Sequence, residues 1–169
     1  GFKDWTITDD EMLYGIFSTY KYAYSQSTPT VNLRVLAIDV SDDWVWKCVD
    51  SYDLSPQYGE YNGISFDRDT GKIWVVHGQQ RRIVSYEFND NGQFIRGQEM
   101  YSFSSGSTST TECGKSTSTV HGLTVHSGFF YMRCMKGSYY QNTDQLSAWG
   151  ISGTSSSLVP QVGIRDIPV

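Results

Sequence analysis

The stretch Gly63-Ile64-Ser65-Phe66-Asp67-Arg68-Asp69-Thr70-Gly71-Lys72-Ile73-Trp74-Val75-Val76 decides the reading of this chain. An apolar run ends at Asp67, a polar turn reaches Gly71, and a second apolar run follows. Glycine supplies a positive φ and aspartate caps its own backbone, so the stretch predicts strand, hairpin turn, strand. Arg82-Ile83-Val84-Ser85-Tyr86-Glu87-Phe88 then alternates with a period of two, as a half-buried strand does. Asn89-Asp90-Asn91-Gly92 signals another turn, and Phe94 to Phe103 forms a fourth run. Four strands in about 45 residues is the size of one propeller blade.

The same order recurs on both sides. Tyr14-Gly15-Ile16 and His121-Gly122-Leu123 repeat the opening seen at Asn62-Gly63-Ile64. The first unit continues with Tyr20 to Tyr24, Asn32 to Val40, the turn Ser41-Asp42-Asp43, and Trp44 to Asp50. The third continues with Phe129 to Cys134, Gln145 to Ile151, the turn Ser152-Gly153, and Leu158 to Ile167. The first unit departs in one respect: Ser18-Thr19 stand where the others carry an Asp- or Gly-bearing turn. The expected fold is all-β, a single domain over 1–169 with three four-stranded propeller-like blades at about 12–58, 60–103 and 119–169. A flexible loop is expected over 104–118, where apolar residues are scarce. A β-sandwich is the alternative, since its turns also recur at short spacing. Three blades do not close a ring, so the chain is expected to be part of a larger or oligomeric propeller. The alternating run Phe2 to Thr8 can supply a covering strand for an open edge, in its own chain or a partner's. Helix signals are confined to Asp9-Asp10-Glu11-Met12-Leu13, and Gly15 stops them.

Composition narrows the function. Among 169 residues, 18 are acidic and 13 basic, a net charge of −5. Duplex nucleic acid needs a positive face and anionic lipid needs basic clusters, so neither is expected as a partner. Charged residues are only 18% and aromatics 15%, with 12 Tyr and 5 Trp, so Ser, Thr, Gly and Tyr carry the solubility. That profile fits an extracellular or virion-surface β protein. No run approaches the roughly 18 apolar residues of a membrane span. Gly1-Phe2-Lys3-Asp4 lacks the layout of a secretory leader, and Gly1 reads as a tag scar, a processing site or the boundary of a longer chain. Of three cysteines, Cys113 can pair with Cys134, and Cys48 reads as a buried thiol beside Trp44-Val45-Trp46. No Cys-x-x-Cys or His/Cys metal spacing occurs.

The middle unit, from Tyr61 to Val75, resembles blades of NHL and regucalcin-like propellers, which place a polar residue and Gly before an apolar strand, an Asp-x-x-x-Gly turn and another strand. The run His121-Gly122-Leu123-Thr124-Val125-His126-Ser127-Gly128-Phe129-Phe130-Tyr131-Met132 resembles propeller blades in receptor-binding (tail fibre) proteins of phages of Gram-positive bacteria. The resemblance covers about two thirds of the chain. It implies a propeller that binds cell-wall glycopolymers. A fold alone does not assign a function, because propellers host enzymes, lectins and scaffolds.

Propeller ligands meet the loops that lead into each first strand and those that join second and third strands. This rule selects Tyr61, Asn62, His77, Arg81, His121, Tyr139 and Tyr140 as the expected ligand-binding residues. Tyr14 joins them as the lead-in position of the first unit. Aromatic faces suit the C–H side of a sugar, and amides or arginine suit its hydroxyls and phosphates. Asp67-x-Asp69-x-Gly71 lacks the downstream carboxylate of a calcium loop and reads as a hairpin turn. Nucleophile elbow, P-loop and His-Glu-x-x-His signatures are missing from the sequence. No catalytic residue, metal or cofactor is therefore expected. The expected function is a non-enzymatic receptor- or glycan-binding module of a phage tail or similar surface assembly, with a cell-surface glycan or glycopolymer as partner. A polysaccharide-acting hydrolase or lyase on the same scaffold is one alternative. A structural module that pairs through open strand edges, as a homo-oligomer or within a larger parent chain, is the other.

Overall fold

The computed structural model describes residues 2–21, 30–54, 61–77, 81–89, 91–95, 99–103, 113, 120–135, 143–151, 158–160 and 165–168. Strands β1 (Phe2–Ile7), β2 (Met12–Lys21), β3 (Thr30–Asp39) and β4 (Lys47–Leu54) form one antiparallel sheet in that order. Strands β5 (Tyr61–Asp67), β6 (Lys72–His77), β7 (Arg82–Tyr86) and β8 (Met100–Ser102) form the second. The third runs β9 (Val120–His126), β10 (Phe129–Met135), β11 (Thr143–Ile151), and both β12 (Leu158–Pro160) and β13 (Arg165–Pro168) pair with β11. No α-helix occurs among the described residues. These are three propeller-like blades in chain order.

Each first hairpin turns on a residue with positive φ. In blade 2 it is Gly71, at φ 68°. Its amide donates to the Asp67 carbonyl at 2.8 Å, and the Asp67 carboxylate accepts from the Asp69 amide at 3.2 Å. In blade 3 the pair Ser127-Gly128 sits at φ 50° and 76°, the two-residue turn that matches strand twist. Blade 1 places Glu11 there, at φ 57°.

This last turn corrects the expected start of the first unit. The blade begins at Phe2, one strand earlier than residue 12. Tyr14-Gly15-Ile16 lies inside the second strand, where Gly15 pairs with Trp5 on one side and Leu36 on the other. Gly15 therefore has two strand neighbours and marks no opening. The register settles the true correspondence. Thr6 faces Tyr14, Ser65 faces Trp74, and Thr124 faces Tyr131. Phe2–Ile7 is thus the first strand of its own blade.

Two apolar layers hold the blades face to face. Tyr14, Ile16, Val35 and Ala37 of blade 1 pack on Ile64, Ile73, Val75 and Tyr86 of blade 2. Trp74, Val76, Ile83 and Phe103 of blade 2 pack on Leu123, Val125, Phe130, Met132 and Trp149 of blade 3. Successive residues of β6 point to opposite faces, so Ile73 and Val75 serve one layer while Trp74 and Val76 serve the other. This explains why Ile73 to Val76 is an unbroken apolar run. Each such side chain contributes about 1.5–3 kcal/mol on burial. The ring of Trp74 meets Phe130 edge-on at 4.9 Å, and Tyr14 meets Phe88 at 4.7 Å. A Cys113–Cys134 disulfide anchors the segment before β9 to β10, across a sequence separation of 21. Closing a loop of that order contributes about 3 kcal/mol in the chain-entropy account. The remaining 104–118 positions of the expected loop lie outside the described residues. Cys48 is exposed, contrary to its expected burial, because it follows an exposed hairpin tip rather than a core strand.

The first strands β1, β5 and β9 lie side by side and run in the same direction. The Ile64 amide donates to Asp4 Oδ2 at 3.0 Å, and the Phe66 amide to Thr6 Oγ1 at 3.1 Å. The Val125 amide donates to Ser65 Oγ at 2.9 Å. All three bonds span the same sequence offset of 60. The strands approach so closely that a Cβ on Gly63 would stand 2.8 Å from both the Cβ and the amide nitrogen of Leu123. Gly122 occupies the corresponding position of β9, yet nothing among the described residues lies within 4 Å of its Cβ direction. Gly63→Ala should therefore destabilise the chain by about 1–3 kcal/mol through overpacking. Gly122→Ala should stay within about 0.5 kcal/mol of the original. Urea unfolding at low protein concentration checks both, and equal effects would show that β5 and β9 are not in contact.

Candidate functional site

The expected ligand residues fall at one end of the blade stack as far as their backbone is described. Tyr61 and Asn62 open β5, His121 is the second residue of β9, and His77 closes β6. Tyr61 pairs with His77, and His77 pairs with Arg82, next to Arg81. Because β5 and β9 are parallel, Asn62 and His121 share an end. The side chains of Tyr61, Asn62, His77 and His121 lie outside the described set, and so do Tyr139 and Tyr140 entirely.

Arg81 is described throughout. It adopts φ 53°, its carbonyl accepts from the Phe103 amide at 2.9 Å, and only 4% of the residue is exposed. Burial draws its guanidinium pKa below the usual value. The side chain is thus built into the blade 2 framework rather than spread over an open loop. Tyr14, expected among the lead-in residues, is fully buried between blades 1 and 2. Its hydroxyl has no hydrogen-bond partner among the described residues. Burial, reinforced by the charges of Asp10 and Asp50, raises its pKa well above that of a free tyrosine.

The opposite end of the inner strands opens into a cleft of about 340 Å³. Thr6, Ser65, Asp67, Arg68, Thr124 and His126 line it, along with apolar neighbours. Asp67 is committed to its own turn, since its Oδ2 accepts from the Thr70 hydroxyl at 2.5 Å as well. Arg68 reaches Asp9 of blade 1 at 2.9 Å, with both side chains largely exposed. Such a surface pair contributes about 0–1 kcal/mol. Asp4, beside these strands, has its pKa raised by burial, against the opposing hydrogen bonds from the Ile64 and Trp5 amides. No group of three or more His, Cys, Asp or Glu suited to a metal ion occurs among the described residues. The cleft offers hydroxyls, which can hydrogen-bond a ligand.

A third feature was hidden by its sequence pattern. Trp44, Val45 and Trp46 read as the start of a strand, but β4 begins at Lys47. They form the tip of the β3–β4 hairpin, with Trp44 92% and Trp46 64% exposed. Asp42 shapes this tip: its Oδ1 accepts from the Trp44 amide at 2.9 Å, and its carbonyl from the Val45 amide at 3.2 Å. The Ser41 hydroxyl bonds Asp39 Oδ1 at 2.7 Å, which steadies the approach and lowers the pKa of that carboxyl. The signal was the double Asp turn itself, which places the following residues in a loop. The tip lies at the cleft end of blade 1, because Asp39 pairs with both Met12 and Lys47.

No family model matches this chain, and no curated protein matches it either. Among solved structures, a protein from Lactobacillus plantarum aligns with 97% of this chain and 55% of its own length, at 10% identity and a TM-score of 0.49. The chain thus spans about half the length of that structure.

Tyr14 yields a direct test. Burial holds its folded pKa above that of a free tyrosine, so the unfolded chain ionises first as pH rises. Stability is therefore lost as pH climbs above about 10. Tyr14→Phe removes that loss and also removes a buried hydroxyl without a partner. It should unfold at a higher pH than the original chain and equal or exceed its stability at neutral pH, by up to about 1 kcal/mol. Denaturant titrations at neutral and alkaline pH check this, and a large neutral-pH loss would show that the hydroxyl is hydrogen-bonded.

Proposed function

We propose that this chain is a non-enzymatic receptor- or glycan-binding module, of the kind carried by a phage tail fibre or a similar extracellular or virion surface assembly. The observation that carries this reading is the pair of indoles on the β3–β4 tip, Trp44 and Trp46. Large aromatics left in water on a hairpin pinned by Asp42 are costly unless something covers them. An indole face stacks on the C–H side of a sugar ring, and such aromatic contacts contribute about 0.5–1.5 kcal/mol beyond area burial. The low charge of the chain suits a neutral or hydroxyl-rich ligand.

A second ligand face is favoured by the strand register. The parallel inner strands carry Asn62 and His121 to one end, where His77 and Arg81 also lie. Tyr61 belongs to the same end, and Tyr139 and Tyr140 complete the set from the sequence side. A cell-wall glycopolymer with phosphates would find its hydrogen-bond donors there in Asn62, His77 and His121, since Arg81 is buried. The two faces are at opposite ends of the stack, so mutagenesis distinguishes them.

Binding to a glycan array and to purified Gram-positive cell-wall glycopolymer tests the reading. The double variant Trp44→Ala/Trp46→Ala should weaken binding at least about tenfold, equivalent to about 1.4 kcal/mol, with an unchanged far-UV spectrum. If only Tyr139→Ala/Tyr140→Ala weakens it, the ligand sits at the other end. Binding that withstands both pairs of substitutions, or no binding at all, would count against the module. Release of new reducing ends would instead favour the hydrolase or lyase alternative.

A further inference from the structure

The contacts between first strands form a series with an unfilled last place. Thr6, Ser65 and Thr124 stand at one repeated position, opposite Tyr14, Trp74 and Tyr131. Thr6 accepts an amide of blade 2, and Ser65 accepts an amide of blade 3. Thr124 carries the same hydroxyl but is exposed. Gly63 and Gly122 share another repeated position. Gly63 must be glycine because Leu123 lies against it, whereas the space over Gly122 is open. Among the described residues, nothing accounts for glycine at 122. An approaching strand of the same kind would account for both residues.

The start of the series has the complementary gap. Leu123 and Val125 pack on blade 2, and Ile64 and Phe66 pack on blade 1. Trp5 and Ile7 hold the same register positions in blade 1, and they are 59% and 46% exposed. Behind them, Leu13, Leu36 and Ile38 alternate with the buried Tyr14, Val35 and Ala37, so they face away from blade 2. Blade 3 presents Tyr131, Leu146 and Ala148 on its own outer side, opposite to Phe130, Ser147 and Trp149.

We propose that the outer face of blade 3 receives the outer face of blade 1 from a second copy of this chain. The contact repeats the geometry of the two blade–blade contacts inside the chain. In it, Trp5 of the second copy covers Gly122, as Leu123 covers Gly63. The Ile7 amide of the second copy donates to Thr124 Oγ1, as Phe66 donates to Thr6. The contact is head-to-tail, and two such contacts close two chains into six blades, within the four to eight of known propellers. This inference is independent of the ligand reading above.

Light scattering across a range of protein concentrations tests it, with two variants. The unaltered chain should show the mass of two copies. Gly122→Ala, which meets nothing among the described residues of its own chain, should weaken association at least tenfold, and so should Trp5→Asp. Both should keep the far-UV spectrum of the original. Mixing the two variants should restore association in part, because one of the two contacts in a mixed pair is then intact. A single-copy mass for the unaltered chain at every concentration would overturn the proposal. So would a two-copy mass that both variants retain, or growth beyond two copies.

Discussion

Everything in this fold depends on how closely parallel β1, β5 and β9 run. They belong to three different sheets, so no ladder joins them, yet β5 directs amides at β1 and β9 directs one at β5. A buried amide without a partner costs free energy comparable to a lost hydrogen bond. Side-chain oxygens of Asp4, Thr6 and Ser65 take those amides. Small residues are required there, since Gly63 lies against Leu123 with no room for a methyl group. Short polar side chains and glycine at the centre leave the larger apolar residues to fill the space between blades farther out.

The middle blade shows the consequence. Its two faces are both covered, so β6 is apolar without alternation, while β2 and β10 each have one covered face. The same difference appears in exposure: Ile64 of blade 2 is 2% exposed, and its counterpart Trp5 in blade 1 is 59% exposed. The Cys113–Cys134 disulfide and the aromatic contacts of Trp74 with Phe130 and Tyr101 add to the blade 2–blade 3 layer. On the other side, Tyr14, Tyr52, Tyr86 and Phe94 form a ring-rich layer between blades 1 and 2.

Much of the architecture was readable in the sequence where turn chemistry is explicit. Asp67 to Gly71 adopts the expected turn, with Gly71 at φ 68°, and the Gly92 amide, at φ 77°, bonds back to the Asn89 carbonyl as the second turn requires. The all-β blade pattern follows from those turns and the period-two runs between them. The first blade was read one strand late because its hairpin uses Glu11 in a left-handed conformation, where a reader looks for glycine. Gly15, four residues on, then imitated an opening. The ends of the stack were readable only as positions: register carries Asn62 and His121 to one end, but burial of Arg81 depends on the packing of blade 2. Trp44 and Trp46 misled for the opposite reason, since apolar residues in an alternating run suggest a core. The amide-accepting oxygens of the inner strands left no local signal, because Thr6 and Ser65 acquire their partners only across 60 residues of chain.

Site-resolved amide hydrogen exchange tests the central claim most directly. Thr6→Val removes the acceptor for the Phe66 amide, and Ser65→Ala removes the acceptor for Val125. Exchange at Phe66 should accelerate at least tenfold in the first variant while Val125 stays protected, and the second variant should show the reverse. Unchanged exchange at both amides, or equal acceleration of both in either variant, would contradict an arrangement in which these hydroxyls join neighbouring blades.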